Sequence, residues 1–533
     1  MKYGDRRWTW REHLREASAR AAALLALVDR DRPVHVGVLM GNTPEFLNQM
    51  AAAGLGGYVL CGLNTTRRGA ALAADVRRAD CQIVVADAEH HPLLDGVDLG
   101  DVHVVDVSSE EWARTLDAAG ELTPYREVEA LDPYMLIFTS GTSGDPKAVK
   151  VSHFMVLMSG ANLVQKFDVT ADDTCYLSMP LFHSNALVAG WGVAIATGAA
   201  MAPAKFSASG FLDDIRRYGV TYMNYVGKPL AYILATPEEP DDADNPLRVA
   251  FGNEASDRDI DEFTRRFDTL VWDGFGSTEN AVIITREPGA PKGSLGKGFP
   301  GVAIYNPDTL SESPVARFDK DGALINADEA VGELVNTSGT GFFTGYYNGE
   351  EATAERMRHG MYWSGDLAYR DADGWIYLAG RTADWMRVDG ENLAAAPIER
   401  ILVRLPDISR VAVYAVPDEN VGDQIMAAVV LHEGSTLTPE GFEAFLSEQS
   451  DLSPKAWPRY VRITADLPTT ATHKVLKREL AAEGPTAGTG ELWVREPRGT
   501  RYTREASAER SLPLEIPLKS RAVRNVRGQS DNP

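Results

Sequence analysis

The sequence has few cysteines and no motif that would pair them. Cys61, Cys81 and Cys175 are the three cysteines among 533 residues, and no two of them form a CxxC pair. This sparse, odd count argues against a disulfide framework and a structural zinc site, and it favours a reducing compartment. The first twenty residues are rich in charge and lack the apolar core of a secretory signal. We therefore expect a cytoplasmic protein.

An excess of positive charge is also missing. The chain has 53 Lys and Arg against 76 Asp and Glu, a formal net charge of −23. An acidic surface repels nucleic acid, so we expect no nucleic-acid partner. An anionic ligand such as ATP would need local basic side chains or backbone donors. The hydrophobic content of 44% is typical of a soluble globular protein, and the length predicts two to four folding units.

A clear membrane-spanning run is absent. Residues 186–204 come nearest, because their length approaches the roughly 20 residues needed to cross a bilayer. Gly190, Gly192, Gly198 and Pro203 interrupt this run, and leucine, isoleucine and phenylalanine are sparse in it. We interpret it as a tightly packed internal helix, with a spanning segment as the alternative.

The order of apolar patterns predicts an α/β protein. Short apolar runs at 34–40, 81–87 and 102–107 alternate with helical patterns such as 11–29, which indicates parallel, doubly wound sheets. After about residue 290, short strands rich in Gly and Pro dominate, and residues 362–381 predict a hairpin with Asp373-Gly374 in its turn. A compact α+β unit follows from about Asp384. Residues 508–533 are polar and aperiodic, which predicts a disordered tail.

The most informative segment follows a predicted strand at residues 135–138. Its small and polar residues are Thr139, Ser140, Gly141, Thr142, Ser143 and Gly144, and Lys147 follows. Small residues let a backbone approach a polyphosphate, and N–H groups and hydroxyls can donate to its oxygens. The spacing differs from that of a Walker A loop. The alternative is a flexible linker, which would not normally follow a buried strand and carry a lysine.

These residues resemble a known signature. TSGTSGDPK (139–147) is similar to the phosphate loop of the adenylate-forming enzymes, which include acyl-CoA synthetases, peptide-synthetase adenylation domains and luciferases. Five further segments resemble that family in its order: PLFHS (180–184), GFGSTEN (274–280), GELVNTSG (332–339), YWSGDLAYRDADGWIYLAGR (362–381) and THKVLKREL (472–480). MNYVGKPLAYILA (223–235) and VDGENLAAAPIE (388–399) resemble the branch of very-long-chain acyl-CoA synthetases and fatty-acid-transport proteins.

The resemblance implies a domain plan. Residues 1–380 would form a large N-terminal domain of two doubly wound α/β subdomains plus a small β-barrel-like unit. Residues 381–384 would be a hinge, and residues 385–507 a small α+β C-terminal lid domain. In many relatives the hinge residue is Asp or Lys; here it is Ala383, followed by Asp384. A small residue can still absorb backbone rotation.

The resemblance also implies an ATP site. The phosphates would lie on the loop and Lys147, with the α-phosphate at Thr278 and Mg²⁺ on Glu279. The adenine would lie along Gly252, Asn253 and Phe275, and the ribose on Asp366 and Arg381, with Gly276 as a further ATP-binding residue. Magnesium favours a few carboxylates plus phosphate oxygens. An aspartate can accept from both ribose hydroxyls, although a purely structural turn is the alternative for Asp366.

Other residues would act in catalysis and thioester formation. Lys474 resembles the mobile catalytic lysine, although His473 replaces the usual preceding glycine and Lys477 is the alternative. His183 resembles an aromatic gate of the acyl tunnel, with a structural role as the alternative. Gly390, Glu391 and Asn392 would face the coenzyme A tunnel.

The implied function is an ATP-dependent acid–CoA ligase that uses ATP, Mg²⁺ and coenzyme A. It would form an acyl-adenylate from a long-chain fatty acid, then an acyl-CoA thioester, releasing pyrophosphate and AMP. The alternatives are a ligase for steroid side-chain carboxylates, an acyl-AMP ligase delivering to a carrier protein, and a non-catalytic lipid-binding protein. The third has no use for a phosphate loop. A lipid substrate is compatible with peripheral membrane association.

Overall fold

The structure is a computed structural model. It describes residues 1–139, 146–287, 289–320, 324–381, 385–388, 391–418, 422–449, 452, 454–469, 475–488, 490–496 and 499–505. The predicted tail at 508–533 lies outside these residues.

The chain begins with a short hairpin, a long helix and the first sheet. The hairpin joins β1 (Lys2–Tyr3) to β2 (Arg6–Arg7). Helix α1 (Trp10–Leu25) begins after Thr9, where Thr9 and Glu12 exchange side-chain to backbone hydrogen bonds and so satisfy two free helix donors. The other helices here are α2 (Pro44–Gly56), α3 (Gly69–Arg78), a 3₁₀ turn (His91–Leu94) and α4 (Glu110–Asp117).

The first sheet carries the phosphate-loop segment at one edge. Its strands are β3 (His35–Leu39), β4 (Val59–Gly62), β5 (Ile83–Ala86), β6 (His103–Asp106), β7 (Pro133–Thr139) and β8 (Lys147–Ser152), in the order β6-β5-β3-β4-β7-β8. All pairs are parallel except β7 with β8. The apolar β3, β4 and β5 are buried throughout, as expected for parallel strands covered on both faces.

The second sheet positions the other predicted nucleotide motifs. Its strands are β9 (Thr174–Leu177), β10 (Ala200–Pro203), β11 (Tyr222–Val226), β12 (Val249–Asn253), β13 (Leu270–Phe275), β14 (Ile284–Thr285) and β15 (Lys297–Gly298), in the order β10-β9-β11-β12-β13-β14-β15. It is parallel from β10 to β13. The helices around it are α5 (His153–Phe167), a π-helical turn (Ala186–Trp191), α6 (Gly192–Thr197), α7 (Phe211–Tyr218), α8 (Pro229–Leu234) and α9 (Asp257–Phe267).

Residues 186–204 are internal, as predicted, but they do not form one helix. The π-helical turn and α6 end before Gly198, which has a φ of 74°, and the chain then forms β10. Among the described residues, no helix is both long and apolar enough to cross a membrane. A Cβ atom on Gly192 would lie 2.8 Å from Val156 O, and one on Gly160 would lie 2.3 Å from Gly192 O. These glycines let α5 and α6 touch, so Gly192 lies in the contact between the two helices.

The third sheet is antiparallel. Its strands are β16 (Val302–Asn306), β17 (Ser311–Glu312), β18 (Gly332–Asn336), β19 (Met357–Arg358), β20 (Met361–Arg370) and β21 (Ile376–Arg381). Two short helices accompany it, α10 (Ala327–Ala330) and α11 (Glu350–Arg356). The predicted hairpin is confirmed as β20 and β21, with Gly374 in its turn at a φ of 85°.

The C-terminal part has a sheet and hydrophobic clusters of its own. Its strands are β22 (Trp385–Val388), β23 (Glu391–Ala394), β24 (Ile408–Asp418), β25 (Gly422–Leu431), β26 (Tyr460–Ile463), β27 (Glu491–Arg495) and β28 (Tyr502–Arg504). Its helices are α12 (Ala395–Leu402), α13 (Pro439–Glu448), a 3₁₀ turn (Pro454–Ala456) and α14 (Lys477–Ala482). One of its clusters joins Met386, Phe442 and Trp493. The predicted fold class is confirmed: α/β sheets are followed by a small β sheet and an α+β part.

Candidate active site

The phosphate-loop segment begins and ends at paired strand residues. Thr139 closes β7 and Lys147 opens β8, and they are register partners, with Thr139 Oγ1 3.5 Å from Lys147 O. Ser140, Gly141, Thr142, Ser143 and Gly144, which lie between them, are outside the described residues. Lys147 Nζ lies 3.5 Å from Glu355 Oε2 and 5.3 Å from the ring centroid of Tyr346.

Glu279, the predicted metal ligand, lies next to Tyr346. Its side chain is buried, and Tyr346 Oη donates to its Oε1 at 2.7 Å. Lys147 and Glu279 therefore both adjoin one tyrosine, and the structure brings the phosphate-loop lysine and the predicted metal ligand together. Tyr346 was not predicted from the motifs, and its sequence signal is its position seven residues after the 332–339 motif.

Strand pairing holds Tyr346 in place. Lys150 N donates to Gly345 O at 3.1 Å, and Tyr347 N donates to Ala148 O at 2.8 Å, so this segment adds to the edge formed by β8. Tyr346 N also donates to Thr353 Oγ1 at 3.0 Å. Residues that are distant in sequence are joined by these bonds, which explains why the motifs alone did not reveal the contact.

Arg356 is a second residue that the motifs did not indicate. Its Nη1 donates to Trp363 O at 3.3 Å, and a Cβ atom on Gly365 would lie 2.6 Å from this nitrogen, so the guanidinium packs against Gly365. It also interacts electrostatically with Tyr346 and Glu279. Arg356 thus lies between the predicted metal ligand and the predicted ribose site.

The predicted ribose pair lies on the β20–β21 hairpin. Asp366 and Arg381 are register partners, and Asp366 is buried. Glu333 accepts a hydrogen bond from Gly365 N at 2.7 Å, directly before Asp366, and burial raises the pKa of the Glu333 carboxyl. The pairing of two long strands therefore places this aspartate and this arginine opposite each other.

Three asparagines form a hydrogen-bonded chain, here called the asparagine relay. Asn224 Nδ2 donates to Asn185 Oδ1 at 2.7 Å, Asn185 Nδ2 donates to Asn253 Oδ1 at 3.2 Å, and Asn253 Nδ2 donates to Gly274 O at 2.8 Å. The carbonyl at the end can only accept, so it determines the direction of every amide. The relay connects the middle of β11 and the carboxyl-terminal parts of β12 and β13 to the turn before the π helix.

The relay adjoins the predicted α-phosphate contact. Ser184, in the same turn as Asn185, has its Oγ 3.3 Å from Thr278 Oγ1. His183 precedes it, half-buried, with its ring 4.5 Å from that of Phe182. The structure therefore joins the PLFHS and GFGSTEN segments directly.

Gly252 permits a close contact beneath the predicted adenine segment. A Cβ atom there would lie 2.3 Å from Tyr225 O and 2.6 Å from the Tyr225 ring. Tyr225 Oη donates to Asp273 Oδ2 at 2.9 Å, and Ala255 N donates to the same oxygen at 3.1 Å. Burial raises the pKa of Asp273 to about 7 despite these donors. Phe275, at the end of β13, is half-buried, and Gly276 follows it exposed.

Several predicted residues of the C-terminal part lie outside the described chain. These are Lys474, Ala383, Asp384 and Gly390. Glu391 and Asn392 lie in β23, which pairs with β22. Lys477, the alternative catalytic lysine, begins α14 and forms an ion pair with Glu399 at 2.9 Å.

Comparison with known proteins identifies similar sequences over nearly the whole chain. The family described as AMP-binding enzyme matches residues 1–347, and the AMP-binding enzyme C-terminal domain matches residues 397–474. The medium/long-chain-fatty-acid–CoA ligase FadD17 of Mycobacterium marinum is 55% identical over 90% of this chain and 92% of its own. The steroid-22-oyl-CoA synthetase of Rhodococcus jostii is 47% identical over 89% and 86%.

More distant similarities agree with these. The human long-chain fatty acid transport protein 5 is 29% identical over 80% of this chain and 66% of its own. A crystal structure of the anthranilate CoA ligase AuaEII in complex with anthranoyl-AMP has a TM-score of 0.80 at 20% identity, over 91% of this chain and 94% of that chain. The resemblance drawn from the motifs is confirmed, as is the prediction of an AMP-forming acid–CoA ligase.

Proposed function

The chain belongs to the AMP-binding enzyme family, and we propose that it is the acid–CoA ligase of that family that activates long-chain fatty acids. The supporting observation is a half-buried apolar surface beside the asparagine relay. Phe251 and Trp272 are register partners on β12 and β13, and both rings contact Phe167 of α5, at 5.7 and 5.8 Å.

The side chains on this surface are more exposed to solvent than is usual in the centre of a parallel sheet. β12 lies at the middle of the second sheet, where parallel strands are normally buried on both faces. Phe251, Trp272, Leu163 and Val188 nevertheless remain half-buried. The uncovered apolar area can accept a hydrocarbon chain, and each methylene buried there would contribute about 0.8 kcal/mol.

Adenylation requires two anions to meet, so charge neutralisation and positioning are its main needs. An acid substrate is ionised at neutral pH, so no general base is needed. In this proposal the 139–144 loop and Lys147 hold the phosphates, Thr278 contacts the α-phosphate, and Asp366 and Arg381 hold the ribose. Gly252, Asn253 and Phe275 hold the adenine, Gly276 is a further ATP-binding residue, and Lys474 neutralises the developing charge.

The residues present can hold a magnesium ion if ATP supplies phosphate oxygens as the other ligands. The described part of the chain contains no cluster of three metal-binding side chains, and Glu279 supplies one carboxylate. Magnesium is commonly bound by one or two carboxylates plus phosphate oxygens, which is the set that Glu279 and ATP provide. When bound, the ion would neutralise phosphate charge. Glu279 holds it in this proposal.

The second half-reaction would use a rotation of the C-terminal domain. We place the large domain at residues 1–380, the hinge at 381–384 around Ala383 and Asp384, and the lid at 385–507. Rotation would withdraw Lys474 and present Gly390, Glu391 and Asn392 to coenzyme A, with His183 beside the acyl path. Cytoplasmic placement, with peripheral membrane contact through the lipid substrate, belongs to the same proposal.

A panel of acids tests the substrate. Purified protein would be given ATP, Mg²⁺, coenzyme A and acids from acetate to very long chains, and coenzyme A consumption would be measured. We expect kcat/KM to rise steeply with chain length until the apolar space is full. Acetate or propionate as the best substrate would contradict the proposal.

A steroid side-chain carboxylate is the second candidate, because a relative with 47% identity is named as a steroid-22-oyl-CoA synthetase. It predicts weak dependence on straight-chain length and high activity with a steroid side-chain acid. The same panel separates the two. Adenylation without transfer to free coenzyme A would instead indicate delivery to a carrier protein.

A further inference from the structure

Tyr346 holds one carboxylate oxygen of Glu279 by a hydrogen bond. Its side chain is 8% exposed, and Tyr346 Oη donates to Oε1 at 2.7 Å. Within the described ranges, this is the one hydrogen bond recorded to the Glu279 side chain. A buried carboxylate held at one oxygen has little freedom to rotate, so the position of Oε2 depends on that tyrosine.

Tyr346 itself is rigid. It is 4% exposed, its ring packs edge-on against Phe343 at 5.1 Å, and the Lys147 ammonium lies 5.3 Å from its ring centroid. The chain on both sides of it is hydrogen-bonded to the β8 strand. The hydrogen bond from this rigid phenol can therefore hold the Glu279 carboxylate in one position.

Arg356 determines which way the phenol donates. It interacts with the Tyr346 hydroxyl and packs against Gly365. A guanidinium only donates hydrogen bonds, so it can occupy a lone pair of the phenol oxygen but cannot accept its proton. The phenol proton is thus directed to Glu279, which as a carboxylate accepts it.

We propose that Tyr346 is a positioning residue for Glu279: its hydroxyl holds Oε1 so that Oε2 is presented to nucleotide-bound magnesium, and Arg356 orients that hydroxyl. This inference rests on the proposed role of Glu279 as the metal ligand. Groups that orient a metal ligand typically change metal affinity or activity by about 10- to 100-fold when removed. In this proposal Tyr346 acts on the metal only through Glu279.

Tyr346→Phe tests the proposal because it removes the hydroxyl and keeps the ring. Metal binding would be measured by titrating Mn²⁺ into protein saturated with a non-hydrolysable ATP analogue, with calorimetry as the readout. The Mg²⁺ dependence of ATP–pyrophosphate exchange would be measured in parallel. We expect about 10-fold or more weaker metal binding and a matching rise in the Mg²⁺ requirement.

Tyr347→Phe is the matched control. The adjacent tyrosine also donates to a carboxylate, Asp80 Oδ2 at 2.9 Å, but Asp80 is exposed in the turn between α3 and β5. Loss of that hydroxyl should leave metal binding and the Mg²⁺ titration at the parent's values. An equal effect of both variants would show a general loss of structure and overturn the proposal.

Glu279→Gln separates this inference from the function it rests on. If Glu279→Gln weakens metal binding and Tyr346→Phe does not, the positioning role is wrong and the metal ligand stands. If neither variant changes metal binding, the role of Glu279 is wrong as well. Should Tyr346→Phe fail to fold, Arg356→Met decides: several-fold weaker metal binding supports the proposal, and an unchanged value overturns it.

Discussion

The substitution Asn224→Leu should lower the rate of adenylation without lowering the stability of the protein. Asn224 is fully buried, and its Oδ1 has no hydrogen-bond partner in the part of the chain that the structure describes. An unsatisfied buried acceptor costs about 1–3 kcal/mol, whereas the hydrogen bond to Asn185 contributes about 1 kcal/mol. Asn185 is half-buried, so water can satisfy its freed oxygen. Leucine has a similar size, and the net change in stability should be close to zero or favourable.

The rate should nevertheless fall. Asn185 would lose its hydrogen bond from Asn224 on β11. Asn185 lies in the same turn as Ser184, whose Oγ is 3.3 Å from Thr278 Oγ1. A loss of about 1 kcal/mol in positioning corresponds to roughly a fivefold lower kcat/KM. Pyrophosphate exchange with a saturating acid measures the rate, and thermal denaturation measures the stability.

Asn245→Leu is the comparison variant. Asn245 Nδ2 donates to Asp242 O at 2.7 Å and Phe267 O at 3.0 Å, at the opposite end of the strands. Its loss should lower Tm and leave the rate unchanged, the reverse of the pattern for Asn224→Leu. A lower Tm with full activity in Asn224→Leu would show that the relay is only structural.

Three further outcomes are expected. Lys474→Ala should slow adenylate formation by about 100- to 1000-fold while sparing thioester formation from supplied acyl-adenylate, and equal loss in both half-reactions would contradict its role. Asp273 has a raised pKa of about 7, so its contribution to stability is full at acid pH and is lost as pH rises through 7. The difference in Tm between Asp273→Asn and the parent protein should therefore increase from pH 5 to pH 8. A difference that stays constant over this range would contradict the raised pKa of Asp273. Gly192→Leu should lower Tm, because its Cβ would lie 2.8 Å from Val156 O, and should not shift the preferred chain length. A shift in preferred chain length at unchanged Tm would show instead that Gly192 lines the path of the acyl chain.

The sequence alone predicted the features that depend on residues close together in the chain. Alternating apolar runs and helical patterns predicted the parallel sheets, because strand and helix periods arise from neighbouring residues. Asp373-Gly374 predicted the turn of the β20–β21 hairpin, since glycine adopts its φ of 85° without strain. The motif segments around Lys147 and Glu279 could be recognised because their chemistry lies within a few consecutive residues.

Contacts between distant segments were decided only by the tertiary structure. Tyr346 meets Glu279 because its segment pairs with β8, and this pairing depends on the register of strands roughly two hundred residues apart. The relay arises because β11 and β12 pair in parallel, which places Asn224 and Asn253 on neighbouring strands where Asn185 bridges them. Residues 186–204 likewise form a π-helical turn, a helix and a strand, because close packing of Gly192 on α5 and pairing of β10 with β9 override the uniform local composition.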